Sequence, residues 1–186
     1  MIRLTILAAT LAALAGCADK SDRFLIDPPA QAAVTRVRVA TVEIRDVSLP
    51  GYAAAIEMGQ QEASGALRTI PSTVWADDPV RAVTMALAHG LDAATTATVA
   101  AEPWPLQEPA QARIDVRVER MLAGVSGSFE FAGQYAVASP DGAIRERLVR
   151  FDIKVPMSAR DPAAIATASG QAIAALAQDI ARTLAR

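Results

Sequence analysis

Cysteine, histidine and aromatic residues are almost missing from this chain. Of its 186 residues one is cysteine, one is histidine and 4% are aromatic. A single cysteine excludes a disulfide framework, and one cysteine with one histidine cannot supply a zinc site of several Cys and His ligands. A Cys–His nucleophilic pair would need both of these residues, and the cysteine is committed to another role. An excess of one charge is lacking too. Eighteen basic residues stand against 20 acidic ones, a net charge of −2. With no basic excess or stripe, nucleic acid is not an expected partner. The sequence holds neither a phosphate-binding glycine loop nor a G-x-S-x-G elbow. What it does hold is 52% hydrophobic residues, enough for one domain with a real core and too few residues for two ordinary domains. With so few aromatics, small aliphatic side chains must fill that core.

The N-terminus reads as an export signal. Arg3 supplies the positive start, and Leu4–Leu14 is an uncharged apolar run of 11 residues. A membrane-spanning helix needs about 20, so the run fits a signal-peptide core. It ends in Leu14-Ala15-Gly16-Cys17, the pattern of a bacterial lipobox. Small residues before the cut admit the peptidase, and the Cys17 thiol is the nucleophile that takes diacylglycerol. Residues 1–16 are therefore expected to be removed. Acylated Cys17 then opens a short tether to residue 22, and residues 23–186 form one domain. The acyl lipid on Cys17 is the one covalent group expected, with no metal or other cofactor. Ala18 follows Cys17 where Asp would signal inner-membrane retention, although Asp19 lies one place further on. The expectation is an outer-membrane anchor facing the periplasm.

The mature chain alternates strand and helix patterns. Phe24-Leu25-Ile26 reads as a short strand stopped by Asp27-Pro28-Pro29. Arg36–Arg45 reads as a strand whose apolar phase shifts at Ala40-Thr41, which implies a bulge or a change of burial. Leu49-Pro50-Gly51-Tyr52 turns the chain, and Ile56–Thr69 suggests a hairpin around Ser64-Gly65. Asp77-Asp78-Pro79 starts a helix whose stripe is Val80, Val83, Leu87 and Leu91. Thr95–Ala101 is a further strand. Arg113–Leu122, Ser128–Ala138 and Arg145–Val155 each alternate one apolar and one polar face, as in an antiparallel sheet covered on one side. Ser139-Pro140-Asp141-Gly142 is a hairpin turn. Asp161-Pro162 caps a last helix with Ile165, Ser169, Ile173, Leu176, Ile180 and Leu184 on one face. Gly170 inside it suggests close approach to a strand. The predicted fold class is α+β: a two-layer domain with a mostly antiparallel sheet and two helices packed on one face.

Candidate reactive residues read as structural. His89 fits a last-turn position on the first helix, where a protonated imidazole would suit the dipole. Asp77-Asp78 reads as a cap rather than a metal site, and Ser126 as part of a strand turn. Arg145, Arg147 and Arg150 fit a solvated sheet face better than a headgroup site, and Trp75 and Trp104 read as plugs at the edge of the core.

Taken in order, these features resemble the PqiC-like (YmbA-like) lipoproteins, auxiliary components of ABC-type transport systems linked to MCE proteins. The resemblance runs from Cys17 to the C-terminus. It rests on the lipobox with Phe24-Leu25-Ile26 close behind, then Val37-x-Val39 leading to Leu49-Pro50-Gly51-Tyr52. Val74-Trp75-Ala76-Asp77-Asp78-Pro79, the strands Ile114–Val118 and Phe129–Val137, and the helix from Ala168-Ser169 to Ile180 complete it. The family often follows the Tyr with a Leu-Asp-Arg stretch, whereas Tyr52 is followed here by Ala53-Ala54-Ala55. The resemblance implies a non-catalytic component of intermembrane lipid transport, partnered by an MCE-domain protein and an integral membrane component. Tyr52 and Trp75 are the expected partner-binding residues, and assembly into a homo-oligomeric ring is expected to reinforce a weak site. The alternatives are an activator or assembly factor for peptidoglycan synthesis and, behind it, a periplasmic enzyme.

Overall fold

The computed structural model describes residues 20–30 and 33–186. The lipobox, Leu14 to Cys17, lies outside the described residues.

Among the described residues, eight strands and two helices follow one another. β1 (Asp22–Phe24), β2 (Thr41–Ile44), β3 (Glu57–Gln61) and β4 (Leu67–Trp75) precede α1 (Pro79–Ala94). β5 (Thr98–Ala101), β6 (Ala112–Ala123), β7 (Ser128–Ala138) and β8 (Arg147–Pro156) precede α2 (Pro162–Leu184). All eight strands join one sheet, and β6 is its branch point. Along one edge β6 pairs with β7, which pairs with β8. Along its other edge it pairs with β2 near its start, with β5 beyond β2, and with β3 near its end, with β4 and β1 beyond β3. The long ladders, β6–β7 and β7–β8, are antiparallel, as is β3–β4. The short ones, β1–β4, β2–β5, β2–β6 and β3–β6, are parallel. The fold is α+β.

The alternation in β6–β8 sets the layers. Ile114, Val116, Val118 and Met121 of β6 are buried with Phe129, Phe131, Tyr135 and Val137 of β7 and Phe151 of β8. The opposite face carries charges in cross-strand or neighbouring pairs: Arg150 with Glu119, Arg117 with Asp115, and Arg120 with Glu130. A bulge between Val118 and Arg120 restores the inward phase, so Met121 again faces Phe131. Gly133 lies beside this irregularity. A Cβ there would stand 2.2 Å from the Arg117 carbonyl oxygen, so a side chain would push the two strands apart.

Both helices start as their sequences suggest. Asp78 Oδ1 accepts the Arg81 N–H at 3.0 Å, and Asp161 Oδ1 accepts the Ala164 N–H at 2.8 Å. Each cap is followed by proline at the first helical turn, where its missing N–H is harmless. Ile165, Ser169, Ile173, Leu176, Ile180 and Leu184 are all buried. Where α1 crosses α2, Gly90 admits Ala177, whose Cβ would lie 3.3 Å from a side chain at Gly90.

Three expectations need correction. The first strand is Asp22–Phe24, not Phe24–Ile26; Leu25 is exposed, and the chain after it leaves the sheet as a strap. Only Thr41–Ile44 of Arg36–Arg45 is strand. Val37 and Val39 are buried, but side chains replace the ladder: the Val37 N–H donates to Thr96 Oγ1 and the Ala40 N–H to Gln111 Oε1. The strand begins at the phase shift itself. Lastly, Gly170 approaches the strap rather than a strand, because a Cβ there would lie 2.5 Å from the Asp27 carbonyl oxygen.

α2 is also pinned by a polar contact that alternation alone does not show. The buried Tyr135 hydroxyl donates to Asp179 Oδ2 and meets Thr183 Oγ1, both at 2.8 Å. Burial is the main reason that the phenol is raised from its ordinary value near 10 to about 12; the Asp179 carboxylate adds to this and the Thr183 hydrogen bond opposes it. The neutral phenol is the form favoured by folding. Its contribution is complete below pH 10 and is lost as pH rises toward 12. Tyr135→Phe is expected to cost about 0.5–1.5 kcal/mol at neutral pH from the lost hydrogen bonds. Urea unfolding from pH 9 to 12 should show a smaller alkaline loss in the variant than in wild type. Equal alkaline losses would refute the assignment.

Candidate functional site

One apolar recess starts at the Leu49–Tyr52 turn. Pro50 and Gly51 reverse the chain, and the Pro50 carbonyl accepts the Ala53 N–H at 2.8 Å and the Ala54 N–H at 3.0 Å. That turn lays the Tyr52 ring over the end of β6, where its hydroxyl accepts the Met121 N–H at 3.2 Å. Opposite it, the last residue of β4 is Trp75. Its N–H donates to the Ile56 carbonyl at 2.8 Å, which draws the β3 approach against the ring.

Between Tyr52 and Trp75 lies a cavity of about 210 Å³. Its walls are Ala53, Ala55, Met121, Leu122, Phe129 and Ile165, and Leu67, Glu57, Arg68 and Thr69 stand at its mouth. Two large apolar side chains of this lining are exposed: Tyr52 (40%) and Leu67 (44%). An apolar recess with an apolar rim and one charge of each sign suits an inserted hydrophobic side chain or chain segment.

The structure brings Tyr52 and Trp75 to one cavity but gives them different parts. Tyr52 is accessible at the rim. Trp75 is only 7% exposed, ends a regular strand, and forms a wall shared with a second recess. That second hollow, about 330 Å³, runs between the strap Phe24–Ala30 and α1, past Met85, Ala86 and His89. Trp75 is therefore a plug in the core and not a free anchor. Leu67 and Ile165 are site residues that sequence reasoning missed. Their convergence depends on the branch at β6, and no local pattern reports it.

The remaining candidates lie apart. His89 is exposed on α1 beside the strap, Asp77 pairs with Arg81, and Asp78 caps the helix. Ser126 is in the β6–β7 turn. Arg150 is on the charged outer face, and Arg145 and Arg147 are in and next to the β7–β8 hairpin. Trp104 donates its Nε1–H to the Glu108 carbonyl at 2.7 Å, within its own loop. Among the described residues, no three His, Cys, Asp or Glu side chains gather as a metal site. Among them, too, no helix is long and apolar enough to cross a membrane.

The fold and the recess define a small two-layer α+β domain with an apolar hollow open at its rim. The chain matches the family described as "ABC-type transport auxiliary lipoprotein component" over residues 24–181, and it belongs to that family. Solved structures share the fold. An uncharacterised protein aligns with a TM-score of 0.69 at 13% identity, covering 88% of this chain and 98% of its own. Protein XCC0632 from Xanthomonas campestris, of the DUF330 family, aligns with a TM-score of 0.67 at 14% identity, covering 88% and 95%. Among curated proteins no sequence matches.

Proposed function

We propose that this protein is a periplasm-facing, outer-membrane-anchored lipoprotein that serves an MCE-type lipid transport system as a non-catalytic docking component. The family supplies the class, an auxiliary lipoprotein of ABC-type transport. The observation that carries the reading further is the recess between Tyr52 and Trp75 with its exposed apolar rim. A side chain of an MCE-domain protein entering it would be desolvated in the way that binding hot spots are. An integral membrane component would complete the assembly. A homo-oligomeric ring would multiply a weak single contact.

The test is capture of the candidate MCE protein from native membranes. Tyr52→Ala and Leu67→Ser are expected to lower capture several-fold while the fold survives, since both side chains sit at the exposed rim; the thermal melt should stay near wild type for Leu67→Ser and fall slightly for Tyr52→Ala, which gives up the Met121 hydrogen bond. Trp75→Ala is unsuitable as a binding probe: its ring is buried, and its loss is expected to cost about 3–5 kcal/mol of stability. Unchanged capture by both rim variants would remove this recess from the contact. Failure of wild type to capture any MCE protein, with retention of a peptidoglycan synthase, would favour the cell-wall reading.

A further inference from the structure

The direction in which the chain enters the sheet, together with the length of the tether, orients the domain on its membrane. This rests on the reading of Cys17 as the acylated residue. β1 is parallel to β4, with Asp22 beside Thr73. β4 is antiparallel to β3, and β3 is parallel to β6, with Gln60 beside Ala123. The chain preceding Asp22 therefore comes from the end of the sheet that holds the β3–β4 hairpin and the β6–β7 turn.

Distances sharpen this. Four residues stand between Cys17 and Asp22, five steps along the chain and at most about 17 Å. Val74 is paired with Glu57, and Gln61 with Leu67. Asp22 thus lies two to three residues below the level of Leu67, about 7–10 Å. What remains of the tether is about 7–10 Å, comparable with the headgroup layer of one leaflet, about 5–8 Å. The opposite end is out of reach. Ala112 lies about 25 Å from the level of Asp22 along β6, so Arg145 and Arg147 of the β7–β8 hairpin cannot rest on the leaflet that holds the anchor.

The composition of the near end fits contact with a bilayer. Residues 63–67, 124–129 and 156–159 carry no charge. Leu67 and Val125 are 44% and 50% exposed at its two tips. Arg68 follows Leu67, and Arg160 Nη2 donates to the Gln61 carbonyl at 2.6 Å, so two cations flank the tips at a height suited to lipid phosphates. Glu62 is the acid of this hairpin, and Asp161 is engaged as the cap of α2.

We propose that the domain rests on the phospholipid bilayer that holds its own anchor through the β3–β4 hairpin and the β6–β7 turn, with Leu67 and Val125 in the headgroup layer. The recess at Tyr52, whose mouth includes Leu67, then opens close to the membrane, and the β7–β8 hairpin points into the periplasm.

The acylated Cys17 sulfur would be a thioether, so an introduced cysteine would be the sole maleimide-reactive thiol. Val125→Cys, Leu67→Cys, Leu25→Cys and Leu106→Cys are placed singly in the full-length acylated protein in phospholipid vesicles. Labelling by a membrane-impermeant maleimide is compared with that of the same variants carrying Cys17→Ser. Residues 67 and 125 are expected to label several-fold more slowly when anchored, and residue 106 at an unchanged rate. Protection of residue 25 with free labelling of 125 would put the strap on the membrane and overturn the orientation. Equal labelling of 67, 125 and 106 would overturn it as well. Labelling of Cys17 in wild type would overturn the anchor itself, which separates that failure from a wrong orientation.

Discussion

Leu176→Ala is expected to destabilise the domain by about 2–5 kcal/mol. The side chain is 1% exposed, halfway along α2, in the layer between that helix and the β7–β8 side of the sheet. Its neighbours on the same face, Ile173 and Ile180, are equally buried, and the same core holds Phe131 and Phe151, whose rings pack tilted with centroids 5.2 Å apart. The surroundings cannot collapse easily into the space. On the sheet side they are held by two ten-residue ladders, and on the helix side by alanines with no side chain left to move. A residue two positions on, Gln178, is exposed, and Gln178→Ala should change stability by less than about 0.5 kcal/mol. The comparison needs only urea midpoints for the two variants. A shift for Leu176→Ala no larger than that for Gln178→Ala would mean that α2 does not cover the sheet with this face.

The same helix shows what was legible in the chain and why. Its six-residue stripe and its Asp161-Pro162 start could be read directly, because a helix face follows from spacing alone. The alternation of β6, β7 and β8 was legible for the same reason: a strand with one wet face repeats every two residues. Pairing partners were another matter. The parallel contacts of β2 and β3 with β6 join residues about 60–70 positions apart in the chain, and a hydrophobic pattern carries no record of which strand lies next. Arg36–Arg45 looked like one strand because Val37 and Val39 are buried, yet Thr96 and Gln111 side chains take the backbone partners there. Burial was read correctly and hydrogen bonding was not. Glu43 alternates with Val42 and Ile44, a position that would face solvent, but it is 5% exposed, with Arg113 Nε 2.8 Å from its carboxylate. The ladder that puts Arg113 beside it is one of the long-range parallel pairs. The recess is a mixed case. Tyr52 and Trp75 could be singled out as bulky groups near turns, whereas Leu67 became part of the rim only when β4 and β3 folded back beside β6.

Cys17→Ser is expected to abolish lipid attachment and with it stable residence on the membrane, the largest functional loss for a single atom changed. We propose Cys17 as the acylated residue on the pattern Leu14-Ala15-Gly16-Cys17. The acyl transfer needs a thiolate-forming nucleophile, and a serine hydroxyl does not replace it. Each buried methylene of an attached chain contributes about 0.8 kcal/mol, and one chain alone holds only marginally. A diacylglyceryl group therefore separates firm anchoring from exchange. Without it the rest of the protein offers little hold, because Leu67 and Val125 are single exposed side chains and the neighbouring surface is polar or small. Removal of the signal follows acylation, so the variant should keep residues 1–16 and appear as an unprocessed or soluble form. Mass spectrometry of the intact protein and its N-terminal peptide distinguishes the states. Wild type should begin at Cys17 with added lipid mass, and Cys17→Ser should carry no lipid and begin upstream. Capture of the proposed MCE-domain partner in native membranes should fall with the anchor even though the recess is unchanged, because a site held near one leaflet meets its partner at a high effective concentration and a freely diffusing one does not. A Cys17→Ser protein that still carries lipid on a mature N-terminus would show that the anchor lies elsewhere, and the orientation drawn from a five-residue tether would fall with it.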